Sequence, residues 1–217
     1  MREVNLLDSY PRIKRPVRER EKAKPVQREV AKRFGREYFD GDRTQGYGGY
    51  RYDGRWVAIA RRMQEFYKLE AGQRILDVGC AKGFLLHDLL HAIPGIGVAG
   101  LEISPYAIET AMDDVKPFLV VGSADVLPFA DRAFDLVVSI NTVHNLDLGR
   151  CRQAIREMER VSRAHKYLQV DSWLTEEQRE NFEKWQLTAV TYFSPEGWRG
   201  LFAEVGYTGD YYWTITE

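Results

Sequence analysis

The segment DVGCAKGF, residues 77–84, combines residue types that can bind a small charged ligand. Gly79 and Gly83 allow a tight turn and a close approach of the backbone, and a helix that begins at Gly83 offers free N–H groups. The dinucleotide fingerprint G-x-G-x-x-G is not matched, since Ala81 lies between the glycines. Asp77 favours a ligand with an ammonium group and repels a diphosphate. The alternative interpretation is an ordinary strand–turn–helix connection.

Two further acidic residues stand where later strands are expected to end. Glu102 follows Asp77 by 25 residues and could accept two hydrogen bonds from ribose hydroxyls. Asp125 could accept the exocyclic amine of a purine, with the backbone groups of Ala124 and Val126 beside it. The alternatives are a solvated acid at a strand end and a turn aspartate. Together the three acids fit one ligand that carries an amine, a ribose and a purine.

Short apolar runs that predict strands alternate with runs of helical spacing. Strands are predicted at RILDVG, GVAGLEIS, LVVGSA, FDLVVSIN, KYLQVDSW and near residues 208–216. Helices are predicted from Trp56, from Pro105, and near residues 83–93, 151–161, 175–190 and 195–205. This alternation indicates a doubly wound parallel sheet covered on both faces. Ligands of such sheets bind beyond the carboxyl ends of the strands, where the three acids are predicted to lie.

The motifs together resemble those of class I S-adenosylmethionine-dependent methyltransferases. ILDVGCAKGF, GLEIS and GSADVLPFADRAFDLVVSINTVHNL carry the resemblance, which covers about residues 56–217. It implies a Rossmann-like, doubly wound and mostly parallel seven-stranded α/β sheet with an antiparallel last strand. It also implies S-adenosylmethionine bound across the strand ends, with S-adenosylhomocysteine as product. Only one strand, YTGDYYWTIT, is predicted after residue 206, so the closing hairpin of the family is expected to be shortened.

The resemblance assigns parts of the cofactor to individual residues. It implies that Asp77, Gly79 and Gly83 hold the methionine part. Glu102 would hold the ribose and Asp125 the adenine amine. The predicted cofactor-binding residues also include neighbours of these positions and side chains treated below, namely Cys80, Ile103, Ala124, Val126, Asn141, Tyr47 and Tyr50.

The segment SINTVHNL, residues 139–146, is expected to face the transferable methyl group. Asn141 would lie against the methionine part, and His144 is the predicted catalytic base for a hydroxyl or amine, because its ordinary pKa is near ~6.5. The alternative is a histidine that only forms hydrogen bonds in a loop. Enzymes of this fold that methylate base amines have a different sequence pattern at this position, an Asn or Asp followed by two prolines and an aromatic residue. This chain lacks that pattern, which makes methylation of a base amine a less favoured prediction.

The remaining histidines are predicted to have no role in catalysis or metal binding. His87 and His91 are spaced i, i+4 on one predicted helix, but neither a glutamate nor a third ligand accompanies them in the sequence. They are therefore interpreted as helix-surface residues rather than a metal pair. His165 precedes the fifth strand and is predicted to be solvated.

Residues 38–55 contain five glycines and four tyrosines and are predicted to form a lid over cofactor and acceptor. Tyr47, Tyr50 and Tyr52 could cover a sulfonium, which favours aromatic faces. Three arginines could hold an anionic acceptor: Arg43, Arg51 and Arg55. The alternative is a loop that packs on its own tyrosines.

Composition limits the class of protein. The chain has 217 residues, with 44% hydrophobic and 29% charged residues, which is typical of a globular protein with one core. No run approaches the ~18 apolar residues of a membrane span, and no secretory signal is recognised. The two cysteines, Cys80 and Cys151, show neither disulfide nor metal spacing, which favours a reducing, cytoplasmic compartment.

Charge divides the sequence unevenly. Residues 1–36 hold twelve Lys and Arg against five Asp and Glu, an excess of seven in a chain whose net charge is −1. We predict a basic arm over residues 1–37, the lid segment over 38–55 and a cofactor-binding domain over 56–217. Such an arm could contact phosphate, although it is more often simply solvated.

The sequence predicts a methyltransferase that acts on oxygen or nitrogen of a small molecule, with a sugar or a secondary metabolite as one option. It is expected to be a monomer or a homodimer without membrane contact. An RNA or protein methyltransferase guided by the basic arm is the first alternative, and nucleic acid is not the favoured partner. A non-catalytic S-adenosylmethionine-binding subunit that scaffolds a partner is the second.

Overall fold

The computed structural model describes residues 1–11 and 24–216. Residues 12–23 of the predicted basic arm, and Glu217, lie outside the described residues. Among the described residues, no helix is both long and apolar enough to cross a membrane.

A single sheet forms the centre of the fold, and its strands have the order β3-β2-β1-β4-β5-β6. All five pairings between neighbours are parallel. The strands are β1 (Arg74–Val78), β2 (Gly97–Glu102), β3 (Leu119–Val121), β4 (Phe134–Ile140), β5 (Ser162–Ser172) and β6 (Asp210–Ile215). The order reverses direction between β1 and β4, which is where a doubly wound sheet opens a crevice for a ligand.

Helices cover both faces of this sheet. They are α1 (Lys24–Ala31), α2 (Arg36–Asp40), α3 (Val57–Tyr67), α4 (Phe84–Ala92), α5 (Pro105–Glu109), α6 (Leu148–Val161), α7 (Glu176–Trp185) and α8 (Pro195–Val205). Successive side chains of a strand point to opposite faces. Ile75 therefore joins the core under α3 and α4, while Leu76 joins the core under α6 and α8. The predicted doubly wound, mostly parallel α/β sheet is confirmed.

The predicted antiparallel last strand is wrong, because β6 runs parallel to β5 from the pair Tyr167–Asp210 to the pair Ser172–Ile215. The chain leaves β5, crosses the sheet through α8 and so enters β6 from the same end as β5. Reversing direction would require a hairpin with a further strand, and among the described residues only β6 follows α8. The sheet consequently has six described strands instead of the implied seven.

The beginning of the chain closes the outer edge of β6. The Val4 N–H donates to the Tyr211 carbonyl at 3.0 Å, and the Tyr211 N–H donates to the Arg2 carbonyl at 3.0 Å. The Arg2 guanidinium also pairs with the Asp210 carboxylate at 2.7 Å. Leu6 is fully buried. These residues belong to the predicted basic arm, and their contacts satisfy an edge that would otherwise expose unpaired backbone groups.

Candidate active site

The turn between β1 and α4 is built from residues with left-handed backbone conformations. Gly79 has φ +86° and Gly83 has φ +75°, while Ala81 between them has φ +50°. A Cβ at Gly79 would overlap the Thr142 side chain, so the turn requires glycine there for space as well as for its backbone angle. The Gly79 N–H donates to the Leu101 carbonyl at 2.7 Å, which ties the turn to β2.

Two buried carboxylates lie at this turn. Burial, with a smaller contribution from Glu102, raises the pKa of Asp77 to about 7. Burial also raises the pKa of Glu102, although backbone N–H groups oppose that shift. The Glu102 carboxylate accepts the Ala81 N–H on one oxygen and the Ser104 N–H on the other, both at 2.9 Å. Each oxygen retains a second lone pair for a hydroxyl.

Asp125 has a different environment from the other two acids. Its carboxylate accepts two hydrogen bonds from Arg150, at 2.8 and 3.0 Å, and one from Ser123. The Arg150 hydrogen bond lowers the pKa of Asp125 to about 2. Ile103, which follows β2, is 48% exposed, and Val126, in the loop after β3, is 69% exposed. The strand ends thus present apolar surface beside an engaged carboxylate.

A cavity of about 880 Å³ opens in front of the carboxyl ends of β1, β4, β5 and β6. It brings together seven of the predicted site residues: Asp77, Gly79, Cys80, Asn141, His144, Tyr47 and Tyr50. Its walls are rich in aromatic side chains, which are Tyr10, Tyr38, Tyr47, Tyr50, Trp56, Trp185, Tyr212 and Trp213. The other predicted residues lie outside its lining, namely Gly83, Glu102, Ile103, Ala124, Asp125 and Val126.

Asn141 directly follows β4 and has a left-handed conformation with φ +53°. Its N–H donates to the Gln169 carbonyl at 2.9 Å, and its side-chain oxygen accepts the Thr214 hydroxyl at 2.8 Å. These contacts join the ends of three neighbouring strands. Neither partner was recognised in the sequence, since both are far from Asn141 along the chain.

His144 is 3% exposed and pairs with Asp171 on β5. The Asp171 N–H donates to Nδ1 of His144 at 3.1 Å, and Nε2 faces the Asp171 carboxylate at 3.4 Å. Because an amide N–H can only donate, Nδ1 is unprotonated and a neutral ring carries its proton on Nε2. Burial lowers the pKa of His144, although the charge of Asp171 opposes the shift. Neither ring nitrogen keeps a free lone pair in this arrangement.

Asp171 was missed by the sequence reasoning, although it also lines the cavity. Its position near the end of the fifth strand was the available signal, because polar residues at that edge can reach a ligand. The pair places a carboxylate and an imidazole side by side in the cavity wall. The role of His144 as a base stays a prediction, and Asp171 is a second candidate for the same proton.

The predicted lid segment packs over the glycine turn. The ring of Tyr50 stacks on Phe84 at 4.8 Å between centroids. The Asp40 carboxylate accepts hydrogen bonds from the Lys82 ammonium at 2.6 Å and the Tyr106 hydroxyl at 2.7 Å. Burial alone would raise the pKa of Asp40, but the hydrogen bonds from Lys82 and Tyr106 outweigh it, so the pKa is lowered. Lys82 is itself 6% exposed, so an ion pair that the sequence did not reveal links this segment to the turn.

Residues 75–165 match the family model described as a methyltransferase domain. Residues 75–165 of this chain form a methyltransferase domain. The match includes the glycine turn, the three acids and the segment with His144. The predicted family is therefore confirmed.

Curated relatives of the methyltransferase domain differ in the acceptors that their names give. The probable tRNA methyltransferase 9B of Bos taurus is 28% identical over 132 residues, 59% of this chain and 27% of that protein. The malonyl-[acyl-carrier protein] O-methyltransferase of Hahella chejuensis is 34% identical over 116 residues, 52% of this chain and 41% of that protein. The chain thus spans well under half the length of these relatives.

Solved structures share the fold of the methyltransferase domain. A chain of the Haloferax volcanii complex with the Trm112 methyltransferase activator has a TM-score of 0.54 and 23% identity, covering 70% of this chain and 74% of that one. A SAM-dependent methyltransferase from Aquifex aeolicus has a TM-score of 0.52 and 18% identity, covering 68% and 78%.

The family and fold imply S-adenosylmethionine as methyl donor. The side chains at the ends of the strands have the chemistry that this cofactor requires. Asp77 is a buried carboxylate whose charged form lacks a compensating cation, which an ammonium group would supply. Glu102 retains acceptor capacity for hydroxyls beside it. Ile103 and Val126 present apolar surface of the kind that a planar base covers.

Proposed function

We propose that this chain transfers the methyl group of S-adenosylmethionine to an oxygen or nitrogen of a small-molecule acceptor. One observation carries the proposal. The glycine turn with Asp77 and the aromatic walls bound a single cavity of about 880 Å³. A volume of this size lies within the ~300–1,000 Å³ typical of small-ligand pockets. The methionine part of the cofactor and the acceptor would therefore share this cavity, and the ribose and adenine would lie beside it, at residues outside its lining.

On this proposal, the cofactor's ammonium group binds Asp77 and its ribose binds Glu102. Its adenine lies near Ile103, Ala124 and Val126, and its amine reaches Asp125. The bound donor supplies a methyl carbon activated by a neighbouring sulfonium. Gly83 starts the helix behind the turn, and Cys80 and Asn141 border the methionine part.

The chain's own residues would then position the acceptor and exclude water. Tyr47 and Tyr50 offer aromatic faces to positive charge. The side chains of Gln169 and Asp171 provide polar contacts within the aromatic wall. Holding the two reacting atoms in line accounts for up to ~7–11 kcal/mol of barrier reduction in favourable cases.

A proton acceptor is required when the nucleophile is a hydroxyl or a protonated amine. The pair of His144 and Asp171 supplies that group in the proposal, and it would add roughly 10²–10⁴-fold to the rate. The proton would pass to the Asp171 carboxylate directly, or to His144 after its ring has turned away from the Asp171 N–H. A neutral amine acceptor would need no such step.

An RNA acceptor is the second candidate. Two observations favour it, namely the similarity to the probable tRNA methyltransferase 9B and the charge excess of seven in residues 1–36. Against it, Tyr10 and Tyr47 line the cavity from the two segments that precede the domain. A non-catalytic subunit with a bound cofactor is the remaining alternative.

The test is a methyl-transfer assay with labelled S-adenosylmethionine against fractionated cell extract. We expect label in a low-molecular-weight fraction that resists ribonuclease and protease, and we expect Asp77→Asn to reduce it when the labelled cofactor is limiting. Label confined to a ribonuclease-sensitive fraction would identify the RNA alternative. Cofactor binding by calorimetry without label in any fraction would identify the non-catalytic subunit.

A further inference from the structure

The helix that follows the glycine turn carries a histidine pair on its outer surface. His87 and His91 are one turn apart on α4, and their ring centroids are 4.3 Å apart. The loop after α5 brings the Asp114 carboxylate to the same place. Its Oδ2 lies 2.7 Å from Nδ1 of His87 and 3.8 Å from Nδ1 of His91. The sequence could not reveal this third group, because Asp114 is 23 residues beyond His91.

We propose that His87, His91 and Asp114 form a binding site for a divalent transition-metal ion of the zinc class. Two imidazoles and one carboxylate are ligands that suit zinc, and such three-residue sets leave a fourth position for water. Among the described residues, this is the one group of three or more His, Cys, Asp or Glu whose ligand atoms all lie within 4.8 Å of one another.

The separations fit a tetrahedral ion after small side-chain movements. Bonds of 2.0–2.2 Å from zinc to nitrogen or oxygen place neighbouring ligand atoms about 3.4 Å apart. The observed 2.7 and 3.8 Å lie on either side of that value. His91 is the most exposed of the three side chains, at 65%, so its ring can turn without disturbing the core. This rotation of the His91 ring breaks the hydrogen bond between His91 Nδ1 and the His87 carbonyl.

The site is separate from the cavity, because none of its three residues lines that cavity. It nevertheless lies close to the predicted lid. The Tyr52 ring packs edge-on against His87 at 4.9 Å between centroids, and the Tyr52 hydroxyl donates to Asp88. A metal ion here would join α4 to the loop that precedes β3. The proposal does not depend on the proposed methyl transfer.

The experiment uses the full chain without an affinity tag, since histidine tags bind the same metals. After treatment with a chelator, zinc chloride is titrated by calorimetry into the native protein and three variants. We expect one zinc ion per chain in the native protein, and an affinity at least about tenfold weaker in His91→Gln and in Asp114→Asn. Asp113→Asn is the matched control, because it removes the same charge from the neighbouring exposed position.

Zinc should also raise the unfolding temperature of the native protein and of Asp113→Asn, and raise it less in His91→Gln. His91 and Asp114 are both exposed, so these variants are expected to fold, and their circular dichroism checks this. Absence of saturable zinc binding to the native protein would overturn the proposal. Equal affinity in Asp113→Asn and Asp114→Asn, or an unchanged affinity in His91→Gln, would overturn it as well.

Discussion

Asp77 gives the most direct test of the electrostatics at the glycine turn. Its pKa of about 7 in the folded chain lies about three units above the ordinary 3.8. At 1.36 kcal/mol per unit, ionising this buried carboxylate costs the fold about 4 kcal/mol at high pH. A raised carboxylate pKa means that the folded state holds the proton more tightly than the unfolded state. The free energy of unfolding therefore falls as pH rises from about 4 to about 7.

Asp77→Asn has nearly the same shape and no charge to bury. Between pH 5 and pH 8, the Asp77 contribution to the free energy of unfolding falls by roughly 2–3 kcal/mol in the native chain. We expect the variant to lack this loss, so it should be more stable than the native chain at pH 8. Urea denaturation at the two pH values gives both free energies. Titrating groups distant from Asp77 cancel when the variant is compared with the native chain, whereas Glu102 is coupled to Asp77 and contributes to the difference.

The same substitution should weaken the binding of S-adenosylhomocysteine, because the ammonium group loses its carboxylate. A charged hydrogen bond of roughly 1.5–3 kcal/mol corresponds to about 10–150-fold in affinity.

Asp135 provides a contrasting control. The Arg163 hydrogen bond lowers its pKa, so Asp135→Asn should lose stability at neutral pH. The reasoning fails if Asp77→Asn retains the native pH dependence, or if it is destabilised at pH 8 as Asp135→Asn is.

Four further predictions concern the same site. Glu102→Gln should weaken S-adenosylhomocysteine binding about 10–150-fold by calorimetry, since one of the two acceptor oxygens is lost; an unchanged affinity would remove the ribose assignment. Gly79→Ala should lower the free energy of unfolding by at least roughly 1–3 kcal/mol in urea, because its Cβ would meet Thr142 at a positive φ; near-native stability would contradict the turn geometry. Asp40→Asn should speed protease nicking within residues 38–55, and S-adenosylhomocysteine should slow nicking of the native chain; equal rates with and without ligand would count against a lid. Once an acceptor is known, His144→Ala should reduce turnover ~10²–10⁴-fold without rescue by His144→Gln, and the native rate should rise with pH through one ionisation; near-native turnover would make His144 structural.

The sequence predicted the strands well because their signals are local. β1, β2 and β4 are short apolar runs that end in turn or polar residues, and a fully covered parallel sheet demands such runs. The direction of β6 is not a local property. It depends on the crossover through α8, and the apolar pattern of a single strand is the same whether the strand pairs parallel or antiparallel to its neighbour. The pairing of the chain's first residues with β6 was equally hard to predict, since it involves only residues 2–4, too few to show a strand period.

The site shows the same division between local and distant signals. The glycine turn could be predicted because its conformational requirement and its acid lie within one short segment. The side chains that form hydrogen bonds or ion pairs with the candidate residues could not be predicted. Arg150 engages Asp125 from 25 residues away, and Asp171 engages His144 from 27 residues away. Both contacts depend on which strand and helix ends the sheet order brings together.

Two buried carboxylates at one turn also explain why this site should select a cation. Asp77 and Glu102 repel each other in a setting where burial already opposes charge. Glu102 gains compensation from two backbone N–H groups, and in return it fixes the conformation of the turn. Asp77 receives no such help in its pKa balance and is about half protonated near pH 7. In the proposed function, the ammonium group of the cofactor would supply the opposite charge that Asp77 lacks, and this ion pair would favour ligands that carry a cation.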